Sequence, residues 1–154
     1  MPPHRLVLVR HAQAAGAPVD ADRALTGLGR RRAGAIGRWL DQAALVPDRV
    51  VVSPARRAVQ TWELAAAALR PRVPPEVDGR IYDNTVDRLL AIVRETPEEV
   101  ATLVLVGHNP SVGEFAAALA DGQGGVPGGG FRPARSRSST SLPRSRLSPP
   151  APRP

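Results

Sequence analysis

Leu6-Val7-Leu8-Val9-Arg10-His11 is the stretch that decides the fold: four consecutive apolar residues running into two polar ones. A half-exposed strand would alternate, so an unbroken apolar run of this length fits a strand buried on both faces, as in a parallel sheet covered by helices. The design recurs at Leu103 to Val106, followed by Gly107-His108, and a shorter strand is expected over Arg49 to Val52. Helical patterns lie between them. Thr26 fits an N-cap for a helix running to about Ala44, with Leu28, Ile36, Trp39 and Leu40 as its apolar stripe despite four glycines. Ser53-Pro54 carries the N-cap and first-position signature of the next helix, which bears Val59, Trp62, Leu64 and Leu69 before Pro71 ends it. A short edge strand is expected within Val73 to Val77, a helix over Val86 to Arg94 and a short Ala-rich helix over Val112 to Leu119. This alternation predicts an α/β fold, a single three-layer domain with a mostly parallel sheet and helices on both faces.

The 154 residues suffice for one domain of ordinary size. After Gly122 the periodic pattern gives way to Gly, then Arg, Ser and Pro, with Val126, Phe131, Leu142 and Leu147 as the few large apolar side chains. Such a segment cannot offset its ordering entropy by burial, so the expected division is a folded domain over 1–122 and a disordered tail over 123–154. All 21 basic residues are Arg, and six of them follow position 130 with no acid among them, which accounts for all but one unit of the +7 charge. The high pI therefore describes the tail, and the near-neutral body argues against nucleic acid as a partner. With no Cys, disulfides and thiolate metal sites are excluded. No apolar run approaches the ~18–20 residues of a membrane helix, and the expected location is cytoplasmic.

Chemistry-bearing residues cluster where strands should end. Ligands of open α/β sheets bind outside the carboxyl ends of the strands. Arg10-His11 follows the first strand, Gly107-His108-Asn109-Pro110 the third, and Ser53 to Thr61, with Arg56 and Arg57, the second. One His at a strand end is ordinarily structural, but two at equivalent ends are harder to dismiss. His108 falls beside a helix N-terminus, with Asn109 as cap or Ser111 and Glu114 as a capping box, where backbone N–H groups favour an anion. Arg in a first helical turn opposes the dipole unless an anion is bound. The three junctions thus supply imidazoles, guanidiniums and helix N-termini, the equipment for a phosphoryl group. A metal site is a poor alternative, because no third ligand has suitable spacing and the adjacent Arg would repel a cation.

Leu8-Val9-Arg10-His11-Ala12, Leu25-Thr26-Gly27-Leu28-Gly29, Ser53 to Thr61 and Val106-Gly107-His108-Asn109-Pro110, in that order, resemble the histidine phosphatase superfamily. Within it, the short chain and Ala12 resemble the SixA-type phosphohistidine phosphatases. The resemblance implies a phosphoglycerate mutase-like fold and His11 as the nucleophile that becomes phosphorylated. It further implies that Arg10, Arg57 and His108 surround the phosphoryl oxygens, and Asn109 joins them as a candidate phosphate ligand. Arg57 matches the family arginine because it precedes Ala-Val-Gln-Thr, while Arg56 falls at a variable position. Trp62 departs from the small residue common there, which affects packing rather than chemistry. Neither metal nor cofactor is implied. His108, if protonated, would add charge to that of the two arginines.

Ester-cleaving branches of the superfamily supply a carboxylic acid to protonate the departing alkoxide. The carboxylates between the second helix and the last strong strand, Glu76, Asp78, Asp83, Asp87, Glu95, Glu98 and Glu99, form no distinctive motif. A phosphoramidate leaves as imidazole without such help, so the expected substrate is phosphohistidine on a protein. The alternatives are a small-molecule phosphomonoesterase and a non-catalytic phosphate-binding module. The resemblance implies an apolar strand after Phe131, whereas the sequence continues with Arg132-Pro133 and then Arg and Ser, so the C-terminal strand is expected to be missing. If Arg and Ser use CG and TC codons, reading from the third base of the Arg132 codon into Ser141 spells small and apolar residues, with one Cys/Arg/Ser/Gly and one Tyr/His/Asn/Asp position among them. A frame-shifted last strand is therefore the expectation, and a natural basic tail the alternative.

Overall fold

The computed structural model describes residues 5–82, 85–120 and the pair 132–133. Strands β1 (Arg5–Arg10) and β4 (Thr102–Gly107) lie side by side in parallel, with Leu6 opposite Leu103 and Val7 opposite Val104. Because successive side chains point to opposite faces, this register gathers leucines on one face and valines on the other. The valine face, with Val50 and Val52 of β2 (Arg49–Val52), packs against α1 (Gly27–Gln42) and α2 (Arg56–Ala66) through Ile36, Leu40, Ala58 and Trp62. The leucine face packs against α3 (Gly79–Tyr82), α4 (Val86–Glu95) and α5 (Ser111–Ala120) through Ile81, Leu89, Ile92 and Phe115. Full burial of one such side chain contributes roughly 1.5–3 kcal/mol, and strands with no polar face need both helical layers. The three-layer expectation holds.

The sheet order is β3-β2-β4-β1-β5, where β3 is Glu76–Val77 and β5 is Arg132–Pro133, and every pairing is parallel. Central β4 separates β1 from β2, so the carboxyl ends of those three strands stand next to one another. The last strand was expected to be missing; among the described residues a two-residue β5 pairs in parallel with Arg5 and Leu6 at that edge, which corrects the expectation. The remainder of the expected tail, with its frame-shift reading, lies outside the described residues, as does Asp83.

Helix α1 begins as expected, Thr26 Oγ1 accepting from the Gly29 amide at 3.0 Å. Two of its glycines have packing reasons that periodicity does not show. A Cβ on Gly37 would run into the carbonyl of Ala65 on α2, and one on Gly29 into the carbonyl of Gln13. The close approach brings α1 onto α2 and ties its N-terminus to the loop after β1. Helix α2 departs from expectation, starting at Arg56 with Ala55 as N-cap rather than at Pro54. Ser53 makes a local turn instead, its Oγ accepting from the Ala55 amide at 3.2 Å. Trp62 is buried in the valine-face core and donates from Nε1 to the Val73 carbonyl at 3.4 Å. Helix α3 and a single 3-10 turn at Asp20–Asp22 were not anticipated, being too short for a periodic signal.

Candidate active site

The ladder continues one residue beyond the strands. His11 N donates to the Gly107 carbonyl at 3.0 Å, and Ser53 N to the Val106 carbonyl at 3.1 Å. Both junction residues are thereby pinned to the end of β4, which His108 follows directly. Helix α2 adds a second restraint, since buried Thr61 Oγ1 accepts from the Ala12 amide at 3.0 Å and donates to the Arg57 carbonyl at 2.7 Å. Gln60 Oε1 accepts from the Leu25 amide at 2.9 Å. One helix therefore positions Arg57, the segment after His11 and the approach to α1.

The imidazoles of His11 and His108 lie with ring centroids 5.1 Å apart, and Arg57 bridges them. Its Nε donates to His11 Nε2 at 3.3 Å and its Nη2 to His108 Nδ1 at 3.4 Å. A guanidinium has donors only, so both of those ring nitrogens must be acceptors, and this assigns the tautomers. His11 then carries its proton on Nδ1, donated to the Ala12 carbonyl at 2.8 Å, and presents an unprotonated Nε2. His108 carries its proton on Nε2, donated to Ser53 Oγ at 2.7 Å. A neutral imidazole with its lone pair aimed beside a buried guanidinium is what nucleophilic attack on phosphorus requires.

Electrostatics keep both rings neutral. Burial is the main reason the His11 pKa lies below the ordinary histidine value; Arg57, Arg10 and Arg23 lower it further, and the Ala12 carbonyl opposes them. His108 is pushed down to about 4, by burial first and then by His11 and Arg57, with Asp20 opposing. This corrects the expectation that His108 adds a positive charge: in the free site it is a neutral group, and Nδ1 must take up a proton before it can donate to a phosphoryl oxygen.

Of the residues expected from the sequence, His11, Arg57 and His108 are brought into contact. Arg57 is buried, whereas Arg56 is exposed. Arg10, exposed at the last position of β1, acts on His11 through its charge. Asn109 is engaged otherwise, its Oδ1 accepting from the Gly113 amide at 3.0 Å as a cap of α5. Three contributors went unrecognised. Ser53, noted only as a helix cap, orients His108. Asp20 accepts from Arg57 Nη2 at 3.1 Å through Oδ2 and at 2.9 Å from Nη1 through its backbone carbonyl. Tyr82 donates to Asp20 Oδ2 at 2.6 Å and meets the His108 ring edge-on, with centroids 5.8 Å apart. The Tyr82 hydroxyl, followed by Arg23 and Arg57, holds the Asp20 carboxyl at about 2. Tyr82 is the only Tyr of the chain, a compositional oddity that could have drawn notice; nothing around Asp20 would have.

Residues 6–89 match the family model of the histidine phosphatase superfamily, branch 1. An uncharacterized protein of Picosynechococcus sp. (strain ATCC 27264 / PCC 7002 / PR-6) is 38% identical over 107 residues, covering 69% of this chain and 65% of the relative. The chain thus spans slightly less than two thirds of that relative's length. Phosphohistidine phosphatase SixA of Escherichia coli (strain K12) is 30% identical over 128 residues, covering 77% of this chain and 76% of that protein. The solved structure of the protein histidine phosphatase SixA complexed with tungstate superposes with a TM-score of 0.69 at 32% identity, covering 74% of this chain and 75% of that one.

Proposed function

Since the chain belongs to the histidine phosphatase superfamily, we propose that it hydrolyses phosphohistidine on a protein through a phosphoenzyme formed on His11. The observation that carries this reading is the single guanidinium spanning His11 Nε2 and His108 Nδ1. In the first step the Nε2 lone pair attacks phosphorus, the P–N bond to the substrate breaks, and the leaving imidazole takes a proton from solvent. His11 then holds the phosphoryl group as an imidazolium, and the Ala12 carbonyl accepts from its Nδ1–H. Arg57 Nε–H, no longer facing a lone pair, donates from where it stands to a phosphoryl oxygen, and Arg10 adds its charge. His108 takes up a proton as the phosphate charge arrives. Water then attacks the phosphoenzyme, releasing inorganic phosphate and restoring neutral His11.

Asp20 supports phosphohistidine over a phosphate ester. With its carboxyl held at about 2 it is an anion at neutral pH and cannot protonate an alkoxide, whereas imidazole leaves without that help. A SixA complexed with tungstate, a tetrahedral oxyanion, is in keeping with phosphoryl binding. The proposed chemistry uses no metal, because the Arg57 guanidinium beside both imidazoles repels a cation. The proposed setting is the cytoplasm; among the described residues no helix is long and apolar enough to cross a membrane.

The test is to incubate the protein with a labelled phosphohistidine peptide and map acid-labile phosphate. Label on His11, and loss of all turnover in His11→Ala, is the expected result. A His11→Ala variant that keeps most of the activity overturns the mechanism, and faster turnover of sugar phosphates than of the peptide overturns the substrate class.

A further inference from the structure

A guanidinium has five N–H groups, and the way Arg57 distributes four of them is informative. The edge formed by Nε and Nη2 faces His11 and His108 at 3.3 and 3.4 Å, while the edge formed by Nη1 and Nη2 faces Asp20 at 2.9 and 3.1 Å. The outer edge is gripped at ordinary hydrogen-bond lengths; the inner edge is held more loosely. Asp20 is itself braced. Its Oδ2 accepts from Tyr82 at 2.6 Å, its Oδ1 from Arg23 at 3.2 Å, and Arg23 Nε is anchored on the Ala15 carbonyl at 3.0 Å. The Asp20 side chain is half exposed while that of Arg57 is 7% exposed, so the carboxylate reaches the buried guanidinium from its more solvated side.

We propose that Asp20, braced by Tyr82, is a positioning residue that grips the outer edge of Arg57 from backbone and side chain, so that its inner edge stays aimed at His11 and at arriving phosphoryl oxygens. The inference deepens the proposed function and rests on it. When His11 Nε2 commits its lone pair to phosphorus, Arg57 Nε–H loses its acceptor, and Nη2–H loses its own when His108 Nδ1 is protonated. Both then point at phosphoryl oxygens without any swing of the guanidinium, because Asp20 still holds the far edge. Such preorganisation acts in the transition state and so affects kcat more than KM. The same contact has a rival meaning: a carboxylate on an anion-binding arginine could act as a plug that substrate must displace. The two meanings predict opposite changes.

Parent, Asp20→Ala, Asp20→Asn and Tyr82→Phe proteins are compared by three measurements. The first is hydrogen exchange of the Arg57 Nε–H by 15N NMR, assigned by its loss in Arg57→Lys and needing no substrate. The others are kcat and KM on a phosphohistidine peptide, and the Kd for inorganic phosphate. Asp20→Ala is expected to speed Nε–H exchange about tenfold or more and to lower kcat roughly 10- to 100-fold, with KM changed less. Asp20→Asn, which keeps a carbonyl acceptor, is expected to restore most of both, and Tyr82→Phe to show a smaller loss in the same direction. Unchanged Nε–H exchange in Asp20→Ala, or tighter phosphate binding with kcat intact, overturns the positioning role. Absence of peptide turnover in the parent would instead sink the proposed function, and the exchange measurement would still decide the role of Asp20.

Discussion

Arg57 and Arg80 both follow strands on the carboxyl side of the sheet and both meet carboxylates, yet their surroundings differ in kind. Arg80 is gripped by Glu95 at 2.8 and 2.9 Å and by Asp78 at 2.8 Å, with 38% of its side chain exposed. Arg57 is buried, bridges two neutral imidazoles and meets the half-exposed carboxylate of Asp20. A cation outnumbered by acids in water has no field left for an incoming anion, and it serves as a brace joining α3 to α4. A buried cation whose inner edge faces neutral acceptors keeps its attraction, because the low dielectric there screens it little. The same side chain is thus a strut in one place and, in the proposed function, an anion receiver in the other.

The largest effect that could break this contrast is expected at Arg57. Arg57→Ala should lower kcat/KM on a phosphohistidine peptide by about 100-fold or more, the range for removing one oxyanion donor, and Arg80→Ala should not come near that. Comparable losses from the two would remove the distinction.

Next in size is an acid-stability difference seated at His108. Its imidazole stays neutral in the fold down to about pH 4, against an ordinary value of 6.5, so between those values the unfolded chain binds the extra proton. Stability therefore falls as the pH drops from about 6.5 toward 4, by roughly 3 kcal/mol over the whole window, and His11 shifts in the same direction. Urea midpoints measured across that range should decline more steeply in the parent than in His108→Gln; parallel curves would show that the ring is not held neutral by the fold.

The smallest effects sharpen the contrast from the exposed side. Arg80→Ala should cost no more than about 1 kcal/mol in urea unfolding, as solvated ion pairs do. Arg56→Ala, one residue from Arg57 but exposed, should leave kcat/KM within about threefold, far short of an oxyanion donor. A loss at Arg56 equal to that at Arg57 would overturn the choice between them.

The sheet, its parallel strands and both helical layers were legible because unbroken apolar runs and helical periodicity follow directly from burial on two faces. His11 and His108 were legible because they directly follow those runs, and Arg57 because of the motif around it. Asp20, Ser53 and Tyr82 were not, for different reasons. Asp20 lies in an aperiodic segment, and its meeting with Arg57 depends on how the loop after β1 folds over α2. Ser53 was read as a cap because Ser-Pro so often is one, and its partner is 55 residues away. Tyr82 sits on a one-turn helix. The start of α2 was misplaced for the same reason as Ser53: a long-range contact to His108 competes with the local signal, and the long-range contact prevails.

The register of β1 against β4 also bears on how the protein comes into being. Leu6 pairs with Leu103 and Arg10 with Gly107, so the strand that leads into His11 is synthesised before β4 and must wait for it. At roughly 5–20 residues per second, β1 exists for several seconds as an apolar ribbon whose neighbour in the finished sheet has not been made. Long-range parallel pairing of this kind closes a large loop before contacts reward it, and so tends to fold slowly. No nascent chain short of His108 can hold the pair of imidazoles, so the candidate site is complete only once β4 and the residue after it have been made.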